Sequence, residues 1–106
     1  MTDKYILQGT TPVKEEDLLA WAQWFETANR QVVETWIPPD IRVSTVFLAL
    51  DYQRDEGPPL LFETMVFGGA CDQEQVRYST WHEAEHGHEA MVLRVHEAER
   101  ESGESA

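Results

Sequence analysis

The chain has 106 residues, and its four Trp, three Tyr and four Phe, with an apolar content of 42%, are enough for one packed core. Twenty acidic residues against eight basic ones give a net charge of −12, which repels nucleic-acid phosphates and anionic lipid and argues against both as direct partners. The single cysteine, Cys71, excludes an intrachain disulfide and a Cys-rich zinc module. No apolar run approaches the roughly 18 residues of a membrane span. Together with the single cysteine, this predicts a protein of a reducing, cytoplasmic compartment.

The N-terminal third predicts one short strand and one helix. The segment "KYILQ" (4–8) is typical of an edge strand, and the carboxylates of residues 15–17 lie where a helix N-terminus favours negative charge. The apolar residues that recur at helical spacing predict one buried stripe, formed by Leu18, Trp21, Ala22, Phe25, Ala28 and Val32. Leu19 and Trp24 lie off this stripe, and we expect them to be partly exposed.

Four segments in the middle of the chain predict an antiparallel meander. They are rich in β-branched and aromatic residues and are bounded by Pro, Gly or polar turns; they are "QVVETWI" (31–37), "RVSTVFLAL" (42–50), "LLFETMVF" (60–67) and "EQVRYS" (74–79). The polar stretch "DYQRDEGPP" (51–59) predicts a loop. Apolar residues on both faces of the second segment indicate a central strand that is covered, at least in part, on both sides.

A second helix follows, and it contains every histidine of the chain. Thr80 and Glu83 have the spacing of a capping box. Residues at 100° per residue then share one apolar face, formed by Trp81, Ala84, His88, Met91, Val92, Val95 and Ala98. Gly87 is unfavourable by about 1 kcal/mol inside a helix, which predicts the close approach of a bulky side chain such as Trp21 or Trp36.

These elements predict an α+β fold: an antiparallel sheet of three to five strands, with two amphipathic helices packed mainly on one face. We expect a single domain over residues 1–100. The C-terminal tail, residues 101–106, has no apolar residue except its final Ala and is expected to fray.

The metal-binding hypothesis concerns His82 and His86, which are four residues apart and can reach one ion from the same helix. Glu89 lies one turn further on and is a third candidate ligand. His96 is ten residues from His86, about 15 Å along the axis, and cannot join them. A zinc site needs at least three protein ligands, and the order of residues lacks the general base of metalloprotease helices. We therefore predict a solvated helix flank, with no resident metal and no cofactor.

Two further titratable residues are candidate binding residues. His88 lies in the middle of the apolar face of the second helix, and we interpret it as a hydrogen-bonded core histidine. Glu63 interrupts the most apolar strand, where its carboxylate needs a partner such as Arg42, Arg77 or His88. A Glu63–His88 acid/base pair is the catalytic alternative. Because no nucleophile or phosphate-binding loop accompanies them, we predict no catalytic residue.

Three stretches resemble a family of small proteins from tailed phages and prophages. They are "VSTVFLALDY", "GPPLLFETMVFGG" and "RYSTWHEAEHGH", and the likeness extends from about Leu18 to about Val95. The family has no assigned activity, so the resemblance implies a biological setting and no site residue. Ala49 stands where the family pattern has Gly, and Tyr52 stands where it has a His that could have completed a metal site with His88.

Charge, size and the resemblance together predict a non-enzymatic function. We expect a small acidic phage accessory protein in the host cytoplasm that binds a host or phage protein, one with a basic surface, without contacting nucleic acid directly. A sharper form of the hypothesis is inhibition of a host nuclease or defence factor by mimicry of DNA. The alternatives are a metal-assisted hydrolase that uses His82 and His86, and a minor virion component.

Overall fold

The computed structural model describes residues 2–104, which form six strands and two helices. In chain order these are β1 (Tyr5–Gln8), β2 (Thr11–Lys14), α1 (Leu18–Thr27), β3 (Gln31–Ile37), β4 (Ile41–Phe47), β5 (Phe62–Phe67), β6 (Gln75–Tyr78) and α2 (Trp81–Glu104). Strands β3 to β6 form an antiparallel sheet in the order β3-β4-β5-β6, and β1 and β2 form a separate antiparallel hairpin. The α+β prediction, with an antiparallel sheet of three to five strands, is confirmed.

The strands of the meander lie close to their predicted positions. β3 has the predicted bounds, and β5 and β6 lie inside the predicted segments. β4 ends earlier than predicted, at Phe47, and the chain turns at Ala49, which has a left-handed backbone with φ of 65°. The hairpin partner β2 is an element that the sequence pattern did not predict.

The two faces of the four-stranded sheet differ. The inward face, which carries α2, holds the fully buried Val43, Thr45 and Phe47 of β4. The outward face holds Arg42 and Val46 of the same strand, both half-buried. Ser44, on the same outward face, is 6% exposed and accepts a hydrogen bond from the Gln31 side chain. β4 is therefore covered fully on the inward side and in part on the outward side, as expected.

Helix α1 begins one residue after its cap, Asp17, whose side chain accepts hydrogen bonds from the backbone amides of Leu19 and Ala20 at 3.0 and 3.2 Å. The predicted apolar stripe was wrong at Leu18, which is 62% exposed in the first turn, and its other members in this segment are half-buried rather than buried. Trp24, expected to be partly exposed, is half-buried and packs edge-on against Phe47 at 5.8 Å between ring centroids.

Helix α2 begins with the predicted capping box. The Thr80 hydroxyl accepts from the amide of Glu83, and the Glu83 carboxylate accepts from the amide of Thr80, both at 3.1 Å. The helix continues to Glu104, past the predicted domain boundary at residue 100, and residues 105–106 of the expected tail lie outside the described residues. No helix in the described part of the chain is both long and apolar enough to cross a membrane.

The bulky neighbour of Gly87 is Tyr78, and the expectation of Trp21 or Trp36 was wrong. A Cβ atom at position 87 would overlap the Tyr78 ring and hydroxyl. Trp36 lies on the outward face and is 63% exposed. The close approach therefore joins α2 to the edge strand β6.

Candidate functional site

A line of hydrogen-bonded polar side chains crosses the inward face beneath α2. His88 is 3% exposed, and its ring nitrogens lie 2.8 Å from the Thr35 hydroxyl (Nε2) and 2.7 Å from the Thr45 hydroxyl (Nδ1). The Thr45 hydroxyl is also 2.5 Å from that of Thr64, which in turn accepts a hydrogen bond from the Tyr78 hydroxyl at 3.1 Å. This polar line joins all four strands of the sheet to α2 and runs from one edge of the sheet to the other.

The two titratable members of this polar line, His88 and Tyr78, are held in their neutral forms. Burial lowers the pKa of His88, against a smaller opposing influence from the Glu89 carboxylate, and burial raises the pKa of Tyr78. A neutral imidazole donates from one nitrogen and accepts at the other, so both ring nitrogens of His88 are satisfied by hydroxyl groups. Within residues 2–104, no buried side-chain nitrogen or oxygen is without a hydrogen-bond partner. Such a line orients the helix on the sheet and leaves His88 no free nitrogen for a substrate.

Glu63 lies on the other side of the sheet from His88. It pairs with Arg77, directly opposite on β6, whose Nε atom donates to the carboxylate at 2.9 Å. The Arg77 guanidinium also lies over the ring of Tyr52, 4.6 Å from its centroid. Glu63 therefore has one of its three predicted partners, and the acid/base pair with His88 is not assembled.

His82 and His86 lie side by side on the exposed flank of α2, with their ring centroids 4.4 Å apart. Glu89 belongs instead to the wall of a groove against β3. In the part of the chain that the structure describes, no three His, Cys, Asp or Glu side chains come together in a group that could hold a metal ion. The pair offers two nitrogen donors at most.

Two grooves run along the flanks of α2, one at each edge of the sheet. The β3 groove has a volume of about 460 Å³ and is lined by Val33, Thr35, His88, Glu89, Val92 and Leu93. The β6 groove has a volume of about 200 Å³ and is lined by Val76, Tyr78, Gly87, Ala90, Met91 and Arg94. The polar line ends in the first groove at Thr35 and in the second at Tyr78.

The β3 groove presents apolar surface that the sequence pattern did not single out. Leu93 is 65% exposed on its helix wall, and the side chains of Val33 and Val92 are half-buried on either side. The only charged residue of the wall is Glu89. In the sequence, this apolar surface is indicated by Leu93, a large apolar residue that lies next to the predicted buried face of the helix rather than on it.

Most of the negative charge is not neutralised internally. Salt bridges join the carboxylates of Asp3, Glu34, Glu63 and Glu74 to basic side chains, and the chain has twenty acidic residues against eight basic ones. The closest of them is bidentate: Arg94 donates to Glu74 at 2.6 and 2.8 Å and lowers the pKa of that carboxyl. The exposed side of α2 also carries Glu85, Glu89 and Glu97. The surface therefore retains an excess of carboxylates that can meet a basic partner.

Comparisons with known proteins add no relatives to these observations, because no family model matches the chain and neither a curated protein nor a solved structure matches it significantly.

Proposed function

We propose that this chain is a small acidic phage accessory protein that acts in the host cytoplasm by binding a partner protein with a basic surface. The observation that carries the proposal is the surplus of carboxylates, twenty acidic residues against eight basic ones, which gives a net charge of −12. Complementary charge steers association and selects partners. A basic protein is therefore the class of partner that this surface attracts.

The state of His88 favours binding over catalysis. A general acid or base must reach a proton on its substrate, and both nitrogens of His88 are already bonded to threonine hydroxyls beneath α2. The open β3 groove adds apolar surface next to the carboxylates, as at the centres of protein interfaces.

The left-handed backbone of Ala49 agrees with the resemblance to small phage proteins, which implies glycine at this position. Glycine is the residue that adopts such a backbone without strain. Mimicry of DNA is the sharper form of the proposal, and it places the partner's phosphate-binding surface against the exposed carboxylates of α2.

The proposal is tested by capture of partners from host lysate on the immobilised chain, followed by binding of the purified partner in solution. We expect a small set of basic proteins that are released at about 0.5 M salt, where charges beyond a few ångströms are screened. The variant Glu85→Gln/Glu89→Gln/Glu97→Gln should release them at lower salt.

A matched variant, Glu16→Gln/Glu26→Gln/Asp55→Asn, removes the same charge at exposed positions away from α2 and controls for net charge alone. Recovery of nothing above the bare-bead background would contradict the proposal. DNA that displaces the purified partner would support mimicry, whereas a partner that binds DNA and this chain simultaneously would exclude it.

A further inference from the structure

We propose that β3 accepts an extended segment of the basic partner as an additional strand, with alternate apolar side chains of that segment seated in the β3 groove. This inference rests on the proposed function and names the kind of segment that the partner presents. Peptides that join the edge of a sheet obtain affinity from main-chain hydrogen bonds and specificity from the pockets that receive alternate side chains.

The first support is the strand itself. β3 is seven residues long, and in the described structure it pairs with β4 on one side only. Natural edge strands are protected against further pairing by short length, by charged residues such as lysine, by proline, by a β-bulge or by a covering element. β3 has a register irregularity between Gln31 and Val33, so the regular edge runs from Val33 to Ile37. This part contains no lysine and no proline, and its one charged residue, Glu34, is held by Arg42 at 3.6 Å.

The second support is the position of the groove. A strand added to β3 would lie about 4.8 Å beyond it, and its side chains would alternate between the two faces of the sheet. Those on the inward side would enter the space between β3 and α2, where Val33, Val92 and the exposed Leu93 form apolar walls. The groove therefore offers apolar contact at the place where an added strand needs it.

The third support is charge, which distinguishes a basic segment from a second copy of this chain. Two copies that joined through their β3 strands would bring together two chains of net charge −12. A segment with Lys or Arg at its outward positions would instead be attracted by this net charge, and beside β3 it would meet the exposed Glu34 and the ring of Trp36, which is 63% exposed.

The experiment is selection from a displayed library of random nine-residue peptides, followed by titration of the enriched peptides as synthetic compounds. We expect peptides in which apolar residues alternate with Lys or Arg. Leu93→Asp should weaken binding by tenfold or more, a typical effect at the centre of an interface. Leu19→Asp is the matched control, because Leu19 is 67% exposed on the other helix and should leave binding unchanged.

Backbone methylation of the bound peptide distinguishes strand addition from apolar contact alone. N-methyl groups on one set of alternate amides should abolish binding, because these amides face β3, while methylation of the other set should leave it intact. Equal sensitivity of both sets, binding that Leu93→Asp does not change, or no enriched peptide would each overturn the inference.

The outcomes separate this inference from the proposed function. A lysate partner that binds the Leu93→Asp variant as tightly as it binds the unmodified chain would leave the proposed function intact. It would exclude the β3 groove as the binding site. Concentration-dependent self-association of the chain that Leu93→Asp abolishes would instead assign the groove to a second copy and contradict the inference.

Discussion

The two flanks of α2 show how the same helix can close one edge of a sheet and leave the other open. At β6, Gly87 allows the ring of Tyr78 to lie against the helix backbone, and a bidentate pair joins Arg94 of α2 to Glu74 just before the strand. At β3, the polar line ends at Thr35 in a groove about twice as large in volume, about 460 Å³ against about 200 Å³.

This difference separates the residues that determine stability from the residues that are available for binding. The closed flank depends on a glycine in mid-helix, an unfavourable residue that is retained because a tyrosine ring occupies the space of its side chain. The open flank contains an exposed leucine that contributes little to folding. Substitutions on the closed flank should change stability, and substitutions in the open groove should change binding.

The largest effect is expected for Gly87→Ala. The added methyl group overlaps Tyr78, so the ring must move and lose its hydrogen bond to Thr64, and we expect a loss of about 3 kcal/mol in the free energy of unfolding. Gly103→Ala, in the same helix with no heavy atom within 4 Å of the new methyl group, should be neutral or slightly stabilising. Urea unfolding measures both, and equal midpoints would refute the account of the closed flank.

Thr45→Val should lower the free energy of unfolding by about 2 kcal/mol. It removes the hydroxyl that lies between His88 and Thr64 and leaves a buried ring nitrogen without a partner. Thr35→Val should lower it by less than about 1 kcal/mol, because water in the open groove can replace the lost hydroxyl at the other ring nitrogen. An equal loss for the two variants would mean that the groove is closed to water at His88.

The pH dependence of stability tests whether the His88 ring is shielded from water in the core or is hydrated from the β3 groove. Burial holds the pKa of His88 below its value in the unfolded chain, so the unfolded chain binds the proton first as the pH falls. The free energy of unfolding should be constant above pH about 6.5 and fall below it, by at most about 1.4 kcal/mol per pH unit, until the pH passes the folded pKa.

Urea unfolding between pH 7.5 and 5.5 measures this slope above the range in which ordinary carboxylates titrate. His88→Gln should remove the slope, and His82→Gln/His86→Gln, at two exposed positions of the same helix, should retain it. A slope that persists in His88→Gln would assign the effect to other groups.

The smallest effect on stability is expected for Leu93→Ala, less than about 0.5 kcal/mol, because the side chain is 65% exposed. Met91→Ala, two residues earlier and 5% exposed beside the β6 groove, should lower the free energy of unfolding by about 2–3 kcal/mol. Thermal and urea unfolding of the pair compare the flanks directly. A Leu93→Ala loss as large as that of Met91→Ala would erase the distinction between them.

The sequence predicted the meander well because local composition decides it. The bounds of β3 follow from β-branched residues and the prolines after it, and the start of α2 follows from the Thr80–Glu83 spacing. The hairpin partner β2 was missed although Gly9, with φ of 63°, marks the turn before it. Pro12 obscured the strand pattern there, because proline is unusual in a strand and is tolerated at an edge.

The candidate site was less accessible to prediction because it depends on which strand reaches which helix position. His88 was recognised as a core histidine, but its partners, Thr35 and Thr45, come from strands that lie far away in sequence. Three threonines at inward positions of neighbouring strands are the pattern that could have indicated them. Glu63 had three candidate partners, and only the register of β5 with β6 selects Arg77.

The burial of Cys71 has a practical consequence for measurements on the open groove. This thiol is 2% exposed, and its pKa is raised by burial and by the neighbouring Glu74 carboxylate, so alkylating reagents meet neither an accessible nor an ionised sulfur in the folded chain. A fluorophore or spin label can be attached selectively through Leu93→Cys while the native thiol stays in place. The rate at which Cys71 is modified then reports the rate of unfolding, because the reagent reaches this sulfur only when the chain unfolds.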